Sequence, residues 1–136
     1  MKLKLDAVEL FVGDLAKAVH FYRDVLGMET VWDGKAPNVE LFSNGFMVTL
    51  YGREDLEAEI GVSFTYPSGT NGTMALGFDI EDYTAIDSEY ERMVNMGAIS
   101  VMPPTDSEKW NERVFLITDP DGNLIEVGAV EATKRC

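Results

Sequence analysis

Asp6-Ala7-Val8-Glu9-Leu10-Phe11-Val12-Gly13-Asp14-Leu15-Ala16-Lys17-Ala18-Val19-His20-Phe21-Tyr22-Arg23-Asp24-Val25-Leu26-Gly27 changes period in its middle, and that change decides the fold. Up to Val12 the residues alternate, with Val8, Leu10 and Val12 on one face and Ala7, Glu9 and Phe11 on the other, the pattern of a strand covered on one side. Gly13 and Asp14 break the alternation. Asp14 can cap a helix whose apolar stripe is Leu15, Ala18, Val19, Tyr22, Val25 and Leu26, and Gly27 suits its C-terminal turn. The stretch therefore predicts a strand followed by an amphipathic helix.

Working outward, Glu29 to Trp32, Val39 to Phe42 and Phe46 to Tyr51 read as short strands, the last two joined by Ser43-Asn44-Gly45, where Asn and Gly accept positive φ. The first half thus reads β-α-β-β-β. The second half repeats that order: a strand at Thr73 to Phe78, a helix with Ile86, Tyr90, Met93 and Val94 on one stripe and Gly97 at its end, then strands at Ile99 to Met102, Arg113 to Thr118 and Leu124 to Val130. Asp119-Pro120-Asp121-Gly122 is a strong turn between the last two. Gly97 follows Gly27 by 70 residues, Thr73 follows Ala7 by 66 and Gly122 follows Gly45 by 77, so one supersecondary unit occurs twice. The reading is an α+β chain of 136 residues forming a single domain. Its first module spans about 5–51 and its second about 73–130. The linker, about 52–72, holds one short extended piece around Val62 to Phe64, and Pro103 to Glu112 is irregular.

Composition removes several function classes. Asp and Glu number 24 against 11 Lys and Arg, a formal net charge of −13 that opposes nucleic acid and anionic lipid. One cysteine, Cys136, and one histidine, His20, exclude an intrachain disulfide, a cysteine cage and a multi-histidine site. No window reaches the ~18 apolar residues of a membrane span, and Met1 to Asp6 is charged every second residue. The expectation is a soluble cytoplasmic protein with no nucleic-acid or membrane partner. Each sheet would pack one face on its helix. On the opposite faces parity places Ala7, Glu9 and Phe11; Met47, Thr49 and Tyr51; Thr73, Ala75 and Gly77; and Leu124, Glu126 and Gly128. Small groups beside aromatics and a few carboxylates suit the walls of a ligand cleft.

The segments Phe11-Val12-Gly13-Asp14-Leu15 through Phe21-Tyr22-Arg23-Asp24-Val25-Leu26-Gly27-Met28, Trp110-Asn111-Glu112-Arg113 and Asp119-Pro120-Asp121-Gly122-Asn123-Leu124-Ile125-Glu126-Val127 resemble the vicinal oxygen chelate superfamily. That group includes glyoxalase I, extradiol dioxygenases, fosfomycin resistance enzymes and bleomycin resistance proteins. The resemblance covers nearly the whole chain. It implies paired βαβββ modules forming an open barrel around a cavity, and commonly a homodimer. It also implies four metal-ligand positions, which fall on Ala7, Thr49, Thr73 and Glu126. Only Glu126 offers a carboxylate, far short of the roughly three strong ligands a catalytic divalent ion needs. The expectation is no metal and no cofactor, with a rebuilt Glu9/Glu126 pair as the exception to watch.

The candidate catalytic residue is Glu126, a general base or a cation receptor if the cleft desolvates it, or else a relic carboxylate bonded to its neighbours. The candidate ligand-binding residues are Ala7, Glu9, Phe11, Thr49, Tyr51, Thr73, Trp110, Arg113 and Glu126. Glu9 has solvation or pairing as its plainer reading, and Thr49 and Thr73 have hydrogen bonds to their own backbone. Trp110 and Arg113 occupy the place of the family's Trp-Gly-x-Arg element, with Asn111 for the glycine. They are read either as a stacking ring and forked donor or as loop packing and a surface ion pair. Trp32 and Tyr51, near strand ends, have edge packing as their plainer reading, His20 is read as a surface histidine and Cys136 as a terminal residue without a role. The resemblance and the acidity point to a metal-independent binder that sequesters a cationic or neutral aromatic small molecule. The alternatives are a lyase-, isomerase- or dioxygenase-like enzyme with an altered ligand set using Glu126, and a module whose cleft is filled by its own aromatics.

Overall fold

The computed structural model describes residues 1–131, so Cys136 lies outside the described residues. The chain forms two compact units, Met1–Tyr66 and the residues from Pro67 onward. The first opens with β1 (Val8–Val12) and α1 (Leu15–Val19), whose N-cap Asp14 accepts from the Lys17 amide at 3.1 Å. The helix continues through a π-helical turn, His20–Val25, in which the Leu26 amide reaches back to the Phe21 carbonyl at 3.0 Å. The wider turn buries Phe21 together with Tyr22 and Val25, whereas the 3.6-residue stripe omitted Phe21. Gly27 then ends the helix at φ +80°. β2 (Asn38–Ser43) and β3 (Phe46–Gly52) form a hairpin about Asn44 and Gly45, both at positive φ, and β1 pairs parallel to β3 at the opposite edge.

Val39, Leu41, Val48 and Leu50 face the helix with Val12, Val19 and Tyr22, all buried. Each such aliphatic side chain stabilises by ~1.5–3 kcal/mol relative to exposure. Two expectations in this unit are corrected. Glu29 to Trp32 is not a strand but a single bridge between Glu29 and Phe42. The Asp33 carboxylate accepts from the Lys35 and Ala36 amides and the Trp32 indole donates to the Ala36 carbonyl at 2.9 Å, so the chain turns away from β2. The segment read as the start of a linker is instead α2 (Arg53–Ile60), acidic in its first turn and closed by Gly61 in the left-handed region.

In the second unit β4 (Asn71–Asp79), β7 (Asn123–Val130), β6 (Glu112–Thr118) and β5 (Ile99–Ser107) lie side by side in that order, with β4 parallel to β7. A short 3₁₀ turn, Tyr83–Ala85, leads into α3 (Ile86–Asn95). Ile86 and Met93 are buried, as are Phe115, Ile117, Ile125 and Val127, and Tyr90 meets Phe115 edge-on at 5.2 Å. β5 runs five residues past the predicted end at Met102, through Pro103 and Pro104; it is an edge strand with two register shifts, where proline costs the sheet little. The turn before β7 is built on Asp119, 1% exposed, whose carboxylate accepts from the Asp121 amide, the Asn123 amide and the Asn123 side chain, each at 2.9 Å. Among the described residues no helix is long and apolar enough to cross a membrane.

Candidate functional site

Each sheet leaves one face uncovered by its main helix. In the first unit the register aligns Glu9, Thr49 and Glu40 in one row across the three strands, and Phe11, Tyr51 and Asn38 in the next. Ala7 lies one residue before β1. Glu9, Thr49, Phe11 and Tyr51 are therefore brought together on one face, as alternation predicted. The aromatic row is not bare. The Phe64 ring stacks on Phe11 with centroids 6.1 Å apart and planes at 22°, and the Tyr51 hydroxyl donates to the Glu59 carboxylate of α2, which pushes the Tyr51 phenol above its ordinary range. The Arg53 guanidinium donates to the Phe11 carbonyl at 2.9 Å and lies 4.1 Å over the Tyr66 ring.

In the second unit Glu126 stands on the open face between Gly77 of β4 and Leu116 of β6. A Cβ on Gly77 would meet nothing within 4 Å, so there is open space beside Glu126. Thr73 lies in an irregular part of β4, where Asn71 pairs with Asn123 but Ala75 already pairs with Leu124, so its direction is not set by simple alternation. Glu112, which the sequence reading passed over, shares the open face. Its Oε2 is 3.1 Å from where a Cβ on Gly128 would sit. Burial, and then the Glu126 and Asp79 carboxylates, push the Glu112 carboxyl above its usual range. The signal available in the sequence was Gly128 inside a strand, a common mark of close approach by another group. Near the strand ends a hollow of about 170 Å³ is lined by Glu112, Asp106, Glu108 and Glu131 with Tyr83, Ser107 and Asn111.

Arg113 points the other way. It follows the parity of Phe115 and Ile117, donating to Asp87 of α3 at 2.8 and 3.0 Å and to Asp106 at 3.2 Å, so it is not brought to the face that carries Glu126. The two carboxylates raise its pKa further, and Asp87 falls below the usual carboxylate range in return. Trp110 sits in the β5–β6 turn, 63% exposed, with the Lys109 ammonium 5.5 Å over its ring. The Trp32 indole is spent on its own loop. His20 is exposed on the helix and bonded to Asp24 at 3.0 Å.

The family model described as glyoxalase/bleomycin resistance protein/dioxygenase superfamily matches residues 4–127. The chain belongs to that superfamily. It is 32% identical over 127 residues to the uncharacterized protein YraH of Bacillus subtilis, covering 92% of this chain and 97% of that one. To a bleomycin resistance protein of Geobacillus stearothermophilus it is 31% identical over 122 residues, covering 84% and 87%. A crystal structure of a glyoxalase-related enzyme from Fulvimarina pelagi superposes with a TM-score of 0.77 at 24% identity, over 93% of this chain and 87% of that one, and so shares the fold. The α+β architecture with two mixed sheets is the glyoxalase fold.

Superfamily membership raises the question of a divalent ion. At the four positions that the resemblance implies, Ala7 has no donor, Thr49 and Thr73 offer neutral hydroxyls and Glu126 alone offers a carboxylate. Among the described residues no three His, Cys, Asp or Glu side chains are grouped to hold a metal. The donor set does not fit a catalytic divalent ion.

Proposed function

We propose that the protein is a metal-independent small-molecule binder of the glyoxalase/bleomycin-resistance type, taking a cationic or neutral aromatic guest. The observation that carries this reading is the open space at Gly77 beside Glu126, on a face that the register shares with Asp79 and Glu112. A cation placed there offsets what raises the Glu112 carboxyl above its usual range, namely burial and then the Glu126 and Asp79 carboxylates. The net charge of −13 draws such a guest inward and repels anions. The likeness to bleomycin resistance proteins supports sequestration. The homodimer implied by the resemblance and the cytoplasmic location expected from the sequence belong to the same proposal, and light scattering on the purified chain measures the first.

The test is a fluorescence titration with proflavine, a planar aromatic cation, against naphthalene-2-sulfonate, a planar anion, each with and without EDTA. Saturable proflavine binding that ignores EDTA, weakens in Glu126→Gln and exceeds anion binding is the expected result. Dependence on a divalent ion, or equal binding of the anion, refutes the reading. One observation favours a second reading, a lyase or isomerase without the usual ligands: a carboxyl whose pKa is raised, as in Glu112, is suited to passing protons beside Glu126. Buffer-independent exchange of a proton next to a substrate carbonyl, lost in both Glu112→Gln and Glu126→Gln, would favour that reading over sequestration.

A further inference from the structure

The segment from Arg53 to Tyr66 folds back over the open face of the first unit, and its attachment is unlike that of any helix in the core. No residue of α2 is buried. Ile60, Val62 and Phe64 remain 48%, 49% and 43% exposed. What holds the segment is a set of side-chain contacts at its two ends. Arg53 bonds the Phe11 carbonyl and lies over the Tyr66 ring, while the Glu59 carboxylate takes the Tyr51 hydroxyl. Glu57 accepts the Phe64 amide at 2.6 Å, which sets the Phe64 ring on Phe11. Few buried apolar contacts and exposed hydrogen bonds characterise segments that open at low free-energy cost.

Phe11 and Tyr51 are direct register partners on adjacent parallel strands, so their side chains form one aromatic floor, with Glu9 and Glu40 in the neighbouring row on the same face. An aromatic floor edged by carboxylates matches a flat, positively charged ring system, through stacking and cation–π attraction together. That floor carries the chain's own Phe64.

We infer that the Phe11/Tyr51 face is a binding subsite for planar aromatic cations, and that Phe64 is its internal occupant, which a guest must displace. The inference rests on the small-molecule-binding function proposed above and names the recognition chemistry of one face. Phe64 leaves Phe11, the guest takes its place against Phe11 and Tyr51, and Glu9 supplies the counter-charge. Because the guest competes with a ring tied to the same chain, the observed affinity is the intrinsic one reduced by the fraction of molecules in which Phe64 is displaced.

The experiment is proflavine titration, followed by dye fluorescence, of the full chain and of Phe64→Ala and Phe11→Ala, with far-UV circular dichroism showing that each variant keeps its fold. An aromatic pair of this kind corresponds to a change in affinity of about 2- to 10-fold. Phe64→Ala is expected to bind proflavine tighter by that factor and Phe11→Ala weaker by a similar one. Amide exchange at Phe64 in the unaltered chain is expected to speed up on saturation, as the bond to Glu57 is released. Binding that is unchanged or weaker in Phe64→Ala, or unchanged in Phe11→Ala, overturns the inference while leaving the proposed function standing through the second unit's carboxylates. The absence of saturable proflavine binding in all three proteins overturns both.

Discussion

Replacing Asp119 by alanine tests the strongest structural claim made by the Asp-Pro-Asp-Gly-Asn segment, namely that its first carboxylate organises a turn rather than taking part in binding. The side chain is 1% exposed and accepts three hydrogen bonds at 2.9 Å, two of them from the backbone amides of Asp121 and Asn123. A hydrogen bond to a charged acceptor contributes roughly 1.5–3 kcal/mol, and a donor left buried costs about 1–3 kcal/mol. Asp121 and Asn123 are only half-buried, so water can satisfy part of what is lost. The expected destabilisation of Asp119→Ala is therefore about 3–4 kcal/mol, well above the ~1 kcal/mol centre for point substitutions, as for a broken buried network. In urea, with a slope of ~1–3 kcal/mol per molar, that moves the midpoint down by about 2 M. Asp119→Asn retains an oxygen for the two backbone amides but opposes its own amide to that of Asn123, and is expected to fall between the wild type and alanine. Equilibrium urea unfolding followed by circular dichroism measures both. A midpoint for Asp119→Ala within about 0.5 M of the wild type, which at these slopes is roughly 1 kcal/mol, would refute the argument that this carboxylate holds the turn.

Gly122→Ala and Gly27→Ala separate two costs of substituting glycine. Both residues have positive φ, but a Cβ on Gly122 would lie 1.9 Å from the Gly69 carbonyl oxygen while one on Gly27 meets nothing within 4 Å. The first is expected to lower the melting temperature well beyond the second, whose cost is the left-handed backbone alone, about 1–2 kcal/mol. Glu112→Gln is expected to stabilise the fold at pH 7. A carboxyl whose folded pKa is raised burdens the native state above that pKa, and the burden disappears as pH falls through it toward the unfolded value of 4.5, so the variant's advantage in chemical denaturation should vanish below about pH 4.5. Asp24 has the opposite sign: the hydrogen bond from Arg23 holds it near 2, so its contribution is present above 3.8 and is lost as the pH falls to about 2, and the wild type's advantage over Asp24→Asn should narrow across that interval. Arg113→Ala removes ion pairs to two exposed carboxylates on the helix-covered side, and is expected to leave proflavine binding unchanged and to lower the melting temperature less than Asp119→Ala.

Most of the fold was legible because its signals are local and physically strict. Alternation set which residues of β1 and β3 face the helix, Asp14 capped where expected, and the turn glycines took positive φ. What escaped the sequence has equally particular causes. The α2 segment, Arg-Glu-Asp-Leu-Glu-Ala-Glu-Ile, has no apolar stripe, since it buries nothing and is held by capping and by contacts to distant rings. The π-turn is invisible to a 3.6-residue template. At the candidate site, parity grouped Glu9, Phe11, Thr49 and Tyr51 on one face, but it could not reveal that Phe64, more than 50 residues along the chain from Phe11, would stack there. Arg113 came to attention through its neighbours in a motif, although the parity of β6 already assigned it to the face opposite Glu112.

In each unit the first strand is hydrogen-bonded in parallel to the last, β1 to β3 and β4 to β7. A chain emerging from the ribosome can therefore complete the first sheet once residue 52 is free, while the second must wait for residue 130. Until then β4 carries an open edge, a nine-residue strand whose hydrogen-bonding partner has not yet been made. Synthesis thus exposes the two halves unequally: the late half is the one whose unfinished form invites mispairing, and slowing translation near the C-terminus should raise aggregation more than the same pause placed just after β3.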